Sequence, residues 1–168
     1  MEEASIRHPL PGPVVHLLCG LNGVGKTTLA RGLEDELPVR FTLDEWMLRS
    51  FPELPYDSDE YGFKAEQCKD LMWDIALQVL RTGSDVILDW NQWSQQRRAF
   101  WRDRAVQAGY SVVLHYIRRS LEVAVEQAEE RVALNVPLVH PLTATQIRQF
   151  TELFEEPTKD EGIQIILS

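Results

Sequence analysis

Cysteine is nearly absent: the 168 residues hold only Cys19 and Cys68. Two thiols in a chain this long argue against a disulfide scaffold and against a thiolate metal centre. Cys19 falls in an apolar run and Cys68 on an apolar helical face, so both are expected to be buried thiols. Long hydrophobic stretches are missing as well; none nears the ~20 residues that cross a bilayer. Met1 to Pro13 is charged and proline-bearing with no apolar h-region. That predicts a flexible N-terminal segment, not a signal peptide, and a soluble cytoplasmic protein. Positive charge is in deficit, 17 Lys and Arg against 26 Asp and Glu, for a net charge of −9. A surface for nucleic acid wants a basic face, so the balance argues against such a partner while leaving a local basic groove open. No internal repeat or low-complexity linker divides the chain. With 44% apolar residues, residues 1–168 are expected to form one domain that buries roughly 70% of its unfolded surface.

What is present is Gly20-Leu21-Asn22-Gly23-Val24-Gly25-Lys26-Thr27, followed by Thr28. The spacing is that of a P-loop, G-x-x-x-x-G-K-[ST]. Val14 to Cys19 before it reads as a buried strand. Thr28 to Leu37 after it carries Leu29, Leu33 and Leu37 on one helical face. The residue types follow from the chemistry. A polyphosphate must be ringed by backbone N–H groups, so bulky side chains are excluded at the tight turns. The loop opens a helix whose positive end favours anions. Lys26 is then expected on the β- and γ-phosphates of ATP, and the Thr27 hydroxyl on Mg²⁺.

The remaining pattern alternates strand and helix. Pro38 stops the first helix, and Arg40 to Leu43 reads as a strand ending at Asp44. Phe51 to Glu60 is acidic and proline-bearing, an expected loop or flap. Tyr61 to Arg81 is an expected helix with Cys68, Leu71, Met72, Ile75 and Val79 on its apolar face. Asp85 to Asp89 reads as a strand, and Ser94 caps a helix that Gly109 ends. Ser111 to Ile117 is a strand, and Ser120 opens a helix with Leu121, Ala124, Val125, Ala128 and Val132 on one face. Asn135 to Leu142 is irregular, so a lid is expected at about 131–143. Thr143 to Gln146 is a capping box before Ile147, Phe150 and Phe154, and Gly162 to Leu167 is a last strand. The order implies an α/β fold of the P-loop NTPase kind: a five-stranded, mostly parallel sheet covered by helices on both faces. Ligands of such sheets bind beyond the carboxyl ends of the strands.

Two acids end strands on that side. Val86-Ile87-Leu88-Asp89 has the Walker-B form and predicts a magnesium site at Asp89 with Thr27. Asp44, expected at the tip of the strand beside the P-loop, could take the proton of an acceptor hydroxyl or cap a short helix from Glu45 to Ser50. Arg131, at the mouth of the expected lid, is a candidate cation for the phosphates. Arg97, Arg98, Arg118 and Arg119 also flank the ligand side, and Trp46, Trp90 and Trp93 follow the two acids. Those tryptophans suit either the core or an aromatic-walled acceptor pocket. GTPase chemistry is disfavoured, because Asp89 is followed by Trp90-Asn91-Gln92 rather than Asp-x-x-Gly, and no Asn-Lys-x-Asp element follows.

Taken together, Gly20 to Thr27, Asp44, Val86 to Asp89 with Gln96-Arg97-Arg98, and Arg131 form a recognisable set. Phe154-Glu155-Glu156-Pro157 with Asp160-Glu161-Gly162 completes it. This resembles the small P-loop kinases of the AAA-domain group that includes polynucleotide 5′-hydroxyl kinases, zeta toxins and chloramphenicol phosphotransferase. The resemblance implies ATP and Mg²⁺ as cofactors, with Gly20 to Thr28 binding nucleotide. It implies Asp44 as general base, Lys26 as a catalytic cation and Arg131 as a lid arginine. Two departures stand out. Gln127 occupies a position where family lids often carry a second arginine. Met47 occupies the position where polynucleotide kinases carry an arginine for substrate phosphate. The expected activity is transfer of the ATP γ-phosphate to a hydroxyl of a small molecule, an antibiotic or other metabolite. The alternatives are a polynucleotide 5′-kinase and a nucleotide-binding switch or toxin-like protein with little turnover.

Overall fold

The computed structural model describes residues 12–34 and 38–168. Leu37, expected on the first helix, lies outside them, as does most of the N-terminal segment. Five strands, β1 (Val14–Cys19), β2 (Val39–Thr42), β3 (Val86–Asp89), β4 (Ser111–Tyr116) and β5 (Gln164–Leu167), form one sheet. Every pairing is parallel, in the order β2-β3-β1-β4-β5. The helices are α1 (Lys26–Glu34), α2 (Leu43–Ser50), α3 (Asp59–Arg81), α4 (Gln95–Gln107), α5 (Leu121–Ala133) and α6 (Ala144–Glu152).

Both faces of β1 are covered, which is why its sequence is a near-continuous apolar run. Val15, Leu17 and Cys19 enter the large core shared with α2, α3 and α4. Leu18 points the other way, onto Ala30 of α1 and Ile87 of β3. A third cluster joins Val24 of the loop to Ile117, Ala124, Ala128 and Ile147, which seats α5 and α6 beside the P-loop. The caps at Ser94, Ser120 and Thr143 form as the sequence predicts, each side chain accepting from the backbone N–H three residues on.

The structure corrects three expectations. β2 is not beside the P-loop strand: β3 lies between them and β2 is the edge. β2 also ends at Thr42, so Asp44 sits inside the first turn of α2 rather than at a strand tip. Thr42 takes the N-cap position without capping: its hydroxyl accepts from the Arg40 guanidinium and donates to Asp89. The buried face of α3 is Tyr61, Ala65, Cys68, Met72, Trp73, Ala76 and Leu80, whereas Leu71 and Ile75 are exposed. Cys68 and Met72 are buried as expected and Val79 packs against the core, while Ala65, Ala76, Tyr61 and Trp73 take the rest of the buried face in place of Leu71 and Ile75.

Candidate active site

The P-loop leaves the carboxyl end of β1, where its two neighbours β3 and β4 part, the usual crevice of an open parallel sheet. Gly23 has φ +90°, and a Cβ there would stand 2.3 Å from the Ala124 carbonyl oxygen and 3.4 Å from the Ala128 methyl. A side chain is therefore excluded twice, by backbone conformation and by close approach. Ala124 and Ala128 let α5 press on the loop, and Arg131, three residues further along, falls on the same helical face. The packing of two alanines thus directs an arginine toward the place the loop encloses.

Lys26 heads α1, whose first turn holds no acid to offset the dipole. Its ammonium turns back and donates to the carbonyls of Gly20 at 3.0 Å and Leu21 at 2.7 Å. Burial pulls the Lys26 amine below its ordinary range, while the nearby Asp89 and Asp44 carboxylates oppose that shift. Asp89, 5% exposed, accepts from Thr42 Oγ1 at 3.0 Å, and the Thr27 hydroxyl nearby favours its charged form. Burial raises its pKa, and the two threonine hydroxyls and the Lys26 charge hold it down. Arg131 faces the same acids; burial lowers its pKa and Asp89 opposes.

Asp44 lines the same cleft. Loss of hydration pushes its carboxyl up to about 6, against the pull of Lys26 and with a small push from Glu45. Its side chain keeps 47% of its surface open to solvent through the cleft mouth. His140 Nε2 lies 3.9 Å from Asp44 Oδ1 and 2.6 Å from the Tyr61 hydroxyl. Burial keeps His140 below its ordinary pKa, hence neutral near pH 7. Neither His140 nor Tyr61 was legible as a site residue: His140 lies in an irregular stretch with no motif, and Tyr61 opens a helix whose periodicity marks packing only. Thr42 was missed too, having been read only as part of a strand.

All of these groups line one cleft of about 470 Å³, within the range of small-molecule sites. Of the candidate arginines, Arg97 and Arg131 line it. Arg98 does not: it is fully buried and bonded in bidentate fashion to Glu161, Nε–Oε2 2.7 Å and Nη2–Oε1 2.8 Å. Arg118 pairs at the surface with Glu156, and Arg119 donates to the carbonyls of Arg118 and Ser168. Trp90 is core as well as cleft wall, Trp93 is cleft wall, and Trp46 packs against the core. Met47 is fully buried beneath α2, so that position presents nothing to the cleft.

The residues fit a magnesium nucleotide on two observations. The Asn22 side-chain amide, inside the loop, is buried with no hydrogen-bond partner, a donor left for a ligand. Thr27, Thr42 and Asp89 converge as oxygen donors, the set a hard cation takes. Among the described residues no cluster of three or more His, Cys, Asp or Glu could hold a metal alone. Magnesium fits that finding, since it is bound by one or two protein oxygens with waters and substrate phosphates.

Fold and cleft are those of a P-loop nucleotide-binding domain. The chain belongs to the family described as AAA domain, whose sequence pattern matches residues 15–157. Solved structures of similar fold include a candidate kinase from Chloroflexus aurantiacus (TM-score 0.70, 16% identity, 93% of this chain and 87% of that one). Kti12 from Chaetomium thermophilum, solved with ADP-AlF3, is another (0.68, 18%, 92% and 88%). A third is a gluconokinase from Sinorhizobium meliloti (0.58, 15%, 95% and 84%). At those identities the likeness is one of fold. No curated protein sequence matches the chain. No helix among the described residues is long and apolar enough to cross a membrane.

Proposed function

We propose that the protein is a kinase that moves the γ-phosphate of ATP, with Mg²⁺, onto a hydroxyl of a small-molecule acceptor. The observation that carries this reading is the position of Asp44. A carboxyl pushed toward neutrality lines the same cleft as Lys26 and the loop residues Asn22 and Gly23, and it feels the Lys26 charge.

When bound, magnesium ATP supplies the transferable phosphoryl group and the metal offsets its charge. The backbone of Gly20 to Gly25 would surround the phosphates, and Lys26, now bonded to the Gly20 and Leu21 carbonyls, would supply them with positive charge. Thr27 and Asp89 hold the metal, and Thr42 orients the Asp89 carboxylate. Asp44 accepts the acceptor proton. Arg131, with the irregular segment up to about Thr143 as a lid, adds positive charge as the transition state forms. Asn135 and Leu138 hold φ of 48° and 57° in that segment, an uncommon backbone for residues with side chains.

A polynucleotide acceptor is disfavoured by the net charge of −9 and by the burial of Met47. The test pairs ATP affinity with acceptor-dependent ADP release for two variants. Asp44→Asn is expected to keep ATP binding and to lose roughly 10²-fold in turnover, the low end for general-base loss because the transition state is loose. Asp89→Asn is expected to weaken the response to Mg²⁺. Wild-type turnover by Asp44→Asn refutes the assignment. So does 5′-labelling of single-stranded oligonucleotides with salt-sensitive binding.

A further inference from the structure

The acceptor half of the cleft is walled by rings from separate parts of the chain. Tyr61 opens α3, Tyr56 precedes it, Trp93 follows β3, His140 lies between α5 and α6, and Phe150 is on α6. They touch in series. Tyr61 and His140 centroids are 5.2 Å apart, His140 and Tyr56 4.5 Å, Tyr56 and Phe150 6.0 Å, and Phe150 and Trp93 4.9 Å. The rings meet at 79°, 47°, 75° and 34°, so the wall offers both ring edges and ring faces to a further flat ring, the two arrangements aromatic pairs favour. His140 joins this wall to Asp44, at 3.9 Å.

The polar groups of the wall are mostly satisfied from within. Tyr61 and His140 bond each other at 2.6 Å. The Tyr56 hydroxyl has no hydrogen-bond partner among the described residues, which leaves one neutral donor or acceptor facing the cleft. The charged groups on this side are Asp44, Asp57 and Glu66 against Lys69 and Arg97. Lys69 is tied to Glu66 at 2.5 Å, so a carboxylate or phosphate on the acceptor would meet Arg97 at the rim and acids elsewhere. An anionic acceptor is poorly served here; a neutral flat one is well served.

We infer that the acceptor is a neutral, planar ring compound bearing a hydroxyl, stacked on the Tyr56, Phe150 and Trp93 wall with that hydroxyl at Asp44. This deepens the kinase reading and rests on it. In the transfer, the hydroxyl oxygen bonds to the γ-phosphorus and its proton goes to the Asp44 carboxylate. The bond from the γ-phosphorus to the β,γ-bridging oxygen breaks, and ADP leaves with that electron pair.

The test uses the full chain with Mg²⁺ and three probes: 2-naphthalenemethanol, glucose and gluconate. Saturation-transfer NMR in the presence of Mg-ADP reads binding, and ADP release from ATP reads turnover. The naphthyl alcohol is expected to bind and to stimulate ADP release, and the two polyols to do neither. Tyr56→Ala and Phe150→Ala should raise the KM of the naphthyl alcohol by about tenfold or more with the KM for ATP unchanged. Phe150→Leu, which keeps the apolar volume and removes the ring, should raise it as well and guards against a folding artefact. Naphthyl binding without any turnover supports the ring site and overturns the kinase reading. Turnover of glucose or gluconate alone, no naphthyl binding, or ring variants with unchanged KM overturns the inference while leaving the kinase reading standing.

Discussion

Arg98 was a candidate phosphate cation by sequence and is a buried staple by structure, and its removal has a calculable cost. The side chains of Arg98 and Glu161 are 0% and 2% exposed. Two parallel bonds join them, at 2.7 and 2.8 Å. The Arg98 Nη1 also donates to the carbonyls of Gln92 and Glu155, each at 2.9 Å. Arg98→Met strands a buried carboxylate, which typically costs about 3–5 kcal/mol. It also leaves two carbonyl acceptors short of a donor. At about 2–4 °C of melting temperature per kcal/mol for a chain this size, the expected drop is about 6–20 °C. Glu161→Leu strands the guanidinium instead and should cost a similar amount. The double variant Arg98→Met/Glu161→Leu removes both charges and should be less destabilised than the sum of the singles, a coupling of several kcal/mol. Urea unfolding of all four proteins reads this directly. Acid adds a second check. The Arg98 hydrogen bonds and charge hold the Glu161 carboxyl below its ordinary range despite burial. Its contribution is therefore fully present above about pH 4.5 and fades as pH falls through the depressed value. Glu161→Gln should lack that acid-dependent loss. A penalty under about 0.5 kcal/mol for Arg98→Met, the range of a surface change, or strict additivity in the double variant, refutes the reasoning.

The pH profile of kcat/KM should rise through about pH 6 as Asp44 gives up its proton, since a raised carboxyl becomes a competent base only above its pKa. Asp44→Asn should flatten that limb; an unchanged limb assigns it to another group. Lys26→Ala should lower turnover by several orders of magnitude with the fold intact by circular dichroism, because positioning and charge do most of the work in phosphoryl transfer. Arg131→Ala should lower kcat more than it raises the KM for ATP, and no change in either returns it to the surface. Gly23→Ala should abolish nucleotide binding in a calorimetric titration, because its methyl would meet the Ala124 carbonyl.

The P-loop was legible because its chemistry is local: eight consecutive residues, a strand before and a helix after, carry the whole signal. The strand–helix alternation and the three side-chain caps were legible for the same reason, since each depends on neighbours within a few positions, and the alternation in turn implied a parallel sheet. Local pattern could not tell which strand lies beside which. It therefore put Asp44 next to the P-loop strand, when β3 intervenes and Asp44 lines the cleft from the first turn of α2. The face of α3 was misjudged because small Ala65 and Ala76 and aromatic Tyr61 and Trp73 pack the sheet, a choice made by shape complementarity and not by hydrophobicity alone. The Phe154 to Gly162 ending was recognisable as a motif without a reason. In the folded chain the reason is Glu161, which reaches back 63 residues to Arg98. His140, Tyr56 and Phe150 are separated by long stretches of chain and share no spacing rule. Only the tertiary fold, by docking α5 and α6 on the loop and bringing the α2–α3 connection against them, gathers these rings around one carboxyl.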